Sequence, residues 1–450
     1  MSDPDVVVIG AGPSGLAAAS VTGAAGLKTL VLDDQPAPGG QVWRAAEARR
    51  QRAFPPPRLA YEILEPARAN ATIANTCDVI DLAEGPSVTA LHRRTGTVRE
   101  YTPSAIIIAT GAMERPLLIP GWTLPGVMSV GALQTAMKQS SLVPATPVAL
   151  VGQGPLLLLV ARELRKLGGA VGIVISLGER LPGRAALRHL PRAVLCDPGL
   201  MAQGAGLAAE LAASGVAVVR NPDGLAIEGN RQAERIVVTK NGRSDAYPAQ
   251  LIALHDGVIP NTQLTRLMNL DHTWRGEDEA FAPRIAADGT TEHEGIFVAG
   301  DAQGINGAAL AVHSGRTVGA HVAQTLGRPA PSSTPARQKG ARAFISALYP
   351  PTPVTRFAAD DTVLCRCEGV TVGAARRAMK AGATGPNRVK TATRCGMGPC
   401  QSRLCGNALT RLLAHELGRP PDEIGALRIR PPLKPILLGD IAAPQLAASS

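Results

Sequence analysis

Short, unbroken apolar runs punctuate this chain. Val6–Ile9, Thr29–Leu32, Ala105–Ile108, Val148–Val151 and Leu251–Leu254 each span four residues. Such runs read as strands buried on both faces of a parallel sheet, joined by crossover helices such as Leu16–Ala25. Weaker segments at Thr72–Val79, Ser87–Leu91 and Val98–Tyr101, with a Thr95–Gly96 turn, read as hairpin strands. The layout then repeats at Val216–Arg220, Leu225–Glu228 and Ile236–Thr239, closed by Asn241–Gly242. Gly10 and Gly111 stand 101 positions apart and Gly152 and Gly257 stand 105 apart, so one βαβ module sits inside another. The outer module resumes near Ala282, and the expected fold class is α/β. The most apolar run, Pro155–Ala161, is too short to span a bilayer, and no transmembrane segment is expected.

The first strand runs into Gly10-Ala-Gly-Pro-Ser-Gly15. Gly10 permits a sharp turn, Gly12 lets backbone N–H groups approach a pyrophosphate, and Gly15 lets the next helix pack on the strand. The phosphate then sits at the positive end of that helix, beside Pro13 and Ser14. Asp33 closes the second strand where a carboxylate meets a ribose 2′-OH, with Asp34 as the competing choice. A second piece separates FAD from NAD. Gly300 and Asp301 end the apolar run Ile296–Val298 and precede an Ala- and Gly-rich helix from Ala308. Asp301 can bond a ribitol hydroxyl, which NAD lacks. Gly39 and Gly40 let a backbone lie close to a planar ring that Gln41 can bond, and the small-residue turn Ala109-Thr110-Gly111 can lie against the same cofactor.

Composition narrows the class. A chain of 450 residues with 45% hydrophobic content can build several cores, about three domains by length. The net charge of +10 is concentrated: residues 331–450 carry 17 Lys/Arg against 7 Asp/Glu, and the rest is neutral. No nucleic-acid motif accompanies this charge, so no nucleic-acid partner is expected, and neutralisation of an anionic group is the functional reading. No basic leader with an apolar segment precedes Val6, which points to a cytoplasmic protein without a signal peptide. There, seven cysteines read as thiols or metal ligands. Pro- and Ser-rich Gly327–Pro335 and the spacer Tyr349–Pro353 mark a linker over residues 331–360. Beyond it, Cys365, Cys367, Cys395, Cys400 and Cys405 fall within 41 residues, and four thiolates suit either Zn²⁺ or a [2Fe–2S] cluster. Arg366, Arg394 and the arginines of the flanking helical segments would offset an anionic cluster. Cys77 and Cys196 stand alone and read as buried structural thiols. No nucleophile arrangement stands out; His255 and His313 read as structural, and no catalytic residue is assigned.

Residues 1 to about 330 resemble the glutathione and thioredoxin reductase-like flavoproteins through Gly10–Gly15, Ala109-Thr-Gly111, Pro260-Asn261 and Gly300-Asp301. The resemblance implies an FAD-binding domain at 1–120 and 282–330, with contacts from Gly10, Gly12, Pro13, Ser14, Gly15, Asp33, Gly40, Gln41, Val79, Ala109, Thr110, Gly111, Gly300 and Asp301. It implies an NAD(P)-binding-like domain at 121–281. Two departures make NAD(P)H doubtful there. Leu157 replaces the third glycine of the inner motif and should obstruct close helix–strand packing or push the helix away from a pyrophosphate, and no acid or basic pair ends the strand Ile173–Ser176. A structural or partner-docking role is preferred for the inner module. Lacking a cysteine pair near either flavin-facing turn, the chain is not expected to perform disulfide reduction.

Residues 361–418 resemble the bacterioferritin-associated ferredoxin-like [2Fe–2S] domain. The match selects Cys365, Cys367, Cys400 and Cys405 as ligands and leaves Cys395 over. The expected architecture is thus two nested dinucleotide-binding modules plus a small helical C-terminal [2Fe–2S] domain and a tail over 419–450. Gly39–Arg44, Gly126–Gly131, Gly154–Leu159, Gly257–Asn261, Cys365–Glu368 and Thr393–Gln401 resemble, over nearly the whole chain, the larger flavin and iron–sulfur subunit of heteromeric opine oxidases, hydroxyproline and proline dehydrogenases, and hydrogen cyanide synthase. That resemblance implies a relay of electrons from an amine oxidised at a FAD-dependent amino-acid-oxidase-like partner. It also implies, as further members of the complex, FMN at a subunit interface and a small ferredoxin-like subunit. The alternatives are a self-sufficient NAD(P)H-dependent FAD/[2Fe–2S] reductase and a scaffold holding structural Zn²⁺.

Overall fold

The computed structural model describes residues 3–50, 55–178, 183–331 and 341–442. Parts of the basic loop 44–57, of the linker Gly327–Pro335 and of the tail lie outside these residues. The apolar runs form two five-stranded sheets, each entirely parallel. The outer sheet has the order Ile296–Val298, Ala105–Ile108, Val6–Ile9, Thr29–Asp33, Thr72–Asn75. The inner sheet has the order Ala217–Arg220, Val171–Ser176, Val148–Gly152, Leu251–His255, Val127–Ser129. Each module adds a three-stranded antiparallel sheet, Cys77–Tyr101 in the outer and Gly224–Pro248 in the inner, as the repeat predicts. The expected Thr72–Val79 segment is two strands, because Thr76 at φ +58° breaks the parallel strand before the antiparallel one begins.

Strand order reverses between Val6–Ile9 and Ala105–Ile108, so a crevice opens at their carboxyl ends. Two helices close in behind it. Pro13–Ala24 starts three residues earlier than expected and crosses Ala308–Thr325 at backbone contact. A Cβ at Gly315 would overlap the carbonyl of Ser14, and one at Gly319 would press on Ala18.

Leu157 corrects the sequence reading. Its side chain is 3% exposed and packs with Leu133, Leu150 and Val160, so it fills the inner core and leaves the helix Pro155–Lys166 docked. The supposed spacer is also packed. Residues 350–356 run across the carboxyl ends of the inner strands, where a nucleotide binds in such folds. Gln153, in the inner glycine turn, donates to Pro350 O and to Thr352 Oγ1 at 3.3 Å, and Thr352 N donates to Asp256 Oδ1 at 3.1 Å. Arg356 donates to Leu177 O at 3.2 Å, Asn221 Oδ1 at 2.6 Å and Pro222 O at 3.0 Å.

The cysteine-bearing region continues the inner core. Leu364, Val389 and Leu409 share one buried cluster with Val151, Ile175 and Ile252. The tail returns to the outer module, with Leu433 N on Ile80 O at 2.8 Å and Lys434 Nζ between Asp34 at 2.7 Å and Asp78 at 2.6 Å. Among the described residues no helix is long and apolar enough to cross a membrane.

Two substitutions test these contacts. In an unobstructed helix Gly→Ala gains about 1 kcal/mol, but Gly315→Ala should lose about 1–3 kcal/mol in denaturant unfolding because its methyl overlaps backbone. Arg356→Ala removes the donor that ties residues 350–356, the strap, to Leu177, Asn221 and Pro222 of the inner module, and should lower stability by about 1–3 kcal/mol in the same assay.

Candidate functional site

Several glycines of the crevice leave no room for a side chain. Gly10 has φ +105°, and a Cβ at Gly15 would overlap the Gly10 carbonyl, so strand, turn and helix are in van der Waals contact. Gly12 faces open space, caps the helix Pro13–Ala24, and supplies no side-chain oxygen to the first-turn N–H groups. Those donors can serve a phosphate. Gly39 N donates to Ala11 O at 2.8 Å and Gly40 lies over Gly12, so the second glycine pair roofs the turn. Gln41 is exposed; its Oε1 accepts from Arg44 at 3.0 Å and from Thr135 at 3.2 Å, which ties the outer loop to the inner module.

Asp33 and Asp34 are distinguished by their partners. Asp34 is bound by Lys434, and that cation and its hydrogen bonds hold its carboxyl below the ordinary value despite burial. Asp33 accepts from Gln35 N at 3.3 Å through Oδ1, the Ala11 backbone N–H also favours its charged form, and its buried Oδ2 has no hydrogen-bond partner among the described residues. Burial, with the nearby Asp34 charge, pushes its carboxyl from 3.8 up to about 6. Asn75 sits opposite Asp33 in the parallel register, and its buried Oδ1 is also unpartnered. A buried acceptor without a donor is unfavourable, so two on adjacent strand ends fit a hydroxyl-bearing ribose. Asn75 went unnoticed in the sequence, where nothing distinguishes it from a strand-end turn residue.

The remaining candidates line the same strand ends. Val79 is 7% exposed and packs with Ile9, Leu32 and Ile108. Ala109 N donates to Ile9 O at 2.9 Å, Thr110 Oγ1 donates to Asn261 O at 3.1 Å, and Gly111, at φ +68°, faces open space. Gly300 leaves no room for a Cβ against Ser14. Asp301 Oδ1 accepts from Asn306 N at 2.9 Å and Gly307 N at 3.2 Å, shaping the turn before Ala308–Thr325, and burial raises its carboxyl. His255 is buried with Nδ1 2.8 Å from Glu114, which also accepts from Gly131 N at 3.0 Å.

All five C-terminal cysteines converge, in two groups. Cys365, Cys395 and Cys405 are buried with their sulfurs within 4.8 Å of one another, while Cys367 and Cys400 hydrogen-bond at the surface. Cys395, set aside in the sequence reading, therefore lies in the buried trio. The reason is local: Arg394 at φ 66° and Gly396 at φ +87° turn the loop inward, and Gly396 N reaches Cys365 Sγ at 3.4 Å. Hydrogen bonds from Cys395 and Cys405 hold Cys365 far below the usual thiol range, while donation to Cys365, with burial, holds Cys395 and Cys405 above it. A Cβ at Gly398 would overlap Cys367, so the loop needs glycine to bring Cys400 alongside. Five sulfurs in one place suit a thiolate-bound metal or cluster. Charge compensation is partly spent elsewhere, since Arg394 pairs with Glu368, Arg376 with Asp360 and Glu416, and Arg411 with Glu279. Of the isolated cysteines, Cys77 is buried and pushed up to about 11 by desolvation, whereas Cys196 is exposed. Its helix Leu190–Cys196 buries only Ala193, so the apolar sequence there faces outward.

Family comparisons agree with this architecture. Residues 4–324 match the pyridine nucleotide-disulphide oxidoreductase model, and residues 363–415 match the BFD-like [2Fe-2S] binding domain. One opine oxidase subunit, from Agrobacterium tumefaciens (strain Ach5), is 37% identical, with 97% of this chain and 91% of the relative covered. The HcnB subunit of hydrogen cyanide synthase from Pseudomonas protegens is 31% identical, with 96% of each covered. The crystal structure of L-proline dehydrogenase from P. horikoshii shares the fold at a TM-score of 0.71 and 20% identity, covering 98% of this chain and 79% of that one. By its match to the oxidoreductase model and its full-length likeness to the opine oxidase subunit, the chain belongs to that flavoprotein subunit family.

Proposed function

We propose that this chain is the flavin and iron–sulfur electron-transfer subunit of a heteromeric dehydrogenase or oxidase. Its substrate class is a secondary amine or imino acid, such as hydroxyproline, proline or an opine, oxidised on a partner subunit. The observation that carries the reading is the pairing, in one chain, of an open crevice with an unpartnered Asp33 Oδ2 and a buried trio of cysteine sulfurs beside the Cys367–Cys400 pair, while residues 350–356 cross the carboxyl ends of the inner strands. Relatives named as subunits of opine oxidase, hydrogen cyanide synthase and sarcosine oxidase support it. FAD, when bound, takes two electrons and releases them singly, which suits one-electron transfer to a [2Fe–2S] cluster.

The residues present fit these groups. The N–H groups following Gly12 hold a pyrophosphate, Asp33 and Asn75 accept from the ribose, and Asp301 faces the ribitol side. Four of the five cysteines ligate the cluster. The partner is an amino-acid-oxidase-like subunit, and the complex is completed by interfacial FMN and a small ferredoxin-like subunit. Seven free cysteines support a cytoplasmic location. The alternative, a self-sufficient NAD(P)H reductase, requires a nucleotide where Pro350 and Thr352 bond Gln153.

Two measurements test the reading. Absorption of the anaerobic chain, alone and with its partner, is titrated with hydroxyproline, proline, opines and NADH. Flavin and cluster bands should bleach only when partner and amine are both present, and bleaching by NADH alone defeats the proposal. Asp33→Asn separates binding from stability. In the apo chain the wild-type carboxyl holds its proton to about pH 6 against 3.8 unfolded, so its ionisation costs stability as pH rises through that window. The variant should therefore be about 2 kcal/mol more stable than wild type at neutral pH, equal to it below about pH 4, and weaker in retaining nucleotide.

A further inference from the structure

A cavity of about 40 Å³ lies between the helix Gln263–Leu267, whose Leu264 packs in the core of the outer module, and the helix Cys405–Leu417 of the cysteine region. Met113, Pro260 and Phe281 line one side, and Ser402, Gly406 and Asn407 the other. Its volume holds about three waters, or one molecule of glycine's size.

Two lining side chains carry buried oxygens without a partner, and a third carries a cation without a counter-charge. Arg266 donates through Nε to Thr262 Oγ1 at 2.9 Å and lies over the Phe281 ring at 5.0 Å. It has no ion pair among the described residues, and burial without a counter-charge pushes its guanidinium down to about 10. The neighbouring imidazole of His272 is pushed down to about 4 by burial and by this same cation, so it supplies no compensation. Gln263 is 6% exposed and its Oε1 has no partner; Asn407 Oδ1 is likewise buried and unpartnered. A desolvated cation is costly unless an anion meets it, and buried carbonyl oxygens are costly unless N–H donors meet them.

We infer that this cavity is a binding site for a small α-amino acid. The ligand carboxylate lies on the Arg266 fork, which suits two-point recognition, and its ammonium donates to Gln263 Oε1 and Asn407 Oδ1. The site bridges the loop that holds Thr110 and Gly111 through Asn261 to the helix that begins at Cys405. Occupancy therefore ties the crevice to the sulfur centre. This inference does not rest on the proposed function.

The test is thermal unfolding of the full chain with glycine, sodium acetate or sodium chloride at matched ionic strength, in wild type and Arg266→Met. Saturable stabilisation by millimolar glycine, larger than that by acetate or chloride and lost in the variant, is the expected result. A glycine response no larger than acetate's, or one that persists in Arg266→Met, overturns it. Should Arg266→Met fail to fold, Gly406→Ala serves. Its methyl meets nothing closer than Ser402 Cβ at 3.5 Å and takes up cavity space, so it should keep the fold and weaken the glycine response, and an unchanged response overturns the site.

Discussion

Backbone-to-backbone contact behind the first strand is the constraint on which this molecule depends. Gly15 brings the helix Pro13–Ala24 onto the Gly10 turn, and Gly315 brings the helix Ala308–Thr325 onto Ser14. With no Cβ at these points, the first-turn N–H groups, the Gly300 turn and the open face of Gly12 share one crevice. A methyl at either contact would lift a helix away and move donors that a dinucleotide must meet together.

The second constraint is electrostatic and ties the C-terminal third to both modules. Arg356 and Thr352 pin the strap to the inner sheet, and Arg411 reaches Thr352 O and Glu279 from the cysteine-bearing helix. Lys434 bridges Asp34 and Asp78 at the far end of the outer module. Part of the basic excess of residues 331–450 is thus spent on internal acceptors and on neighbouring acids. Thr352 thereby meets both the inner module, at Asp256, and the cysteine-bearing helix, at Arg411.

Much of the fold was legible locally. Buried parallel strands announce themselves as four-residue apolar runs, and glycines at 10 and 15 answer to close backbone contacts. Leu157 was misjudged because obstruction depends on whether neighbours leave a pocket, and Val160, Leu133 and Leu150 do. Cys196 was misjudged because an apolar helix segment does not reveal which face is covered.

By itself, then, the sequence determined the nested α/β modules, the phosphate-binding turn and the concentration of sulfur, since each rests on local sterics or on residue chemistry. Tertiary structure alone decided that Asp33 and not Asp34 is left unpartnered, because Lys434 arrives from 400 positions away. It also decided that Cys395 joins the buried trio, and that residues 350–356 lie across the carboxyl ends of the inner strands. Spacing along a chain carries no information about which distant donor reaches a carboxylate, or about which loop a linker crosses.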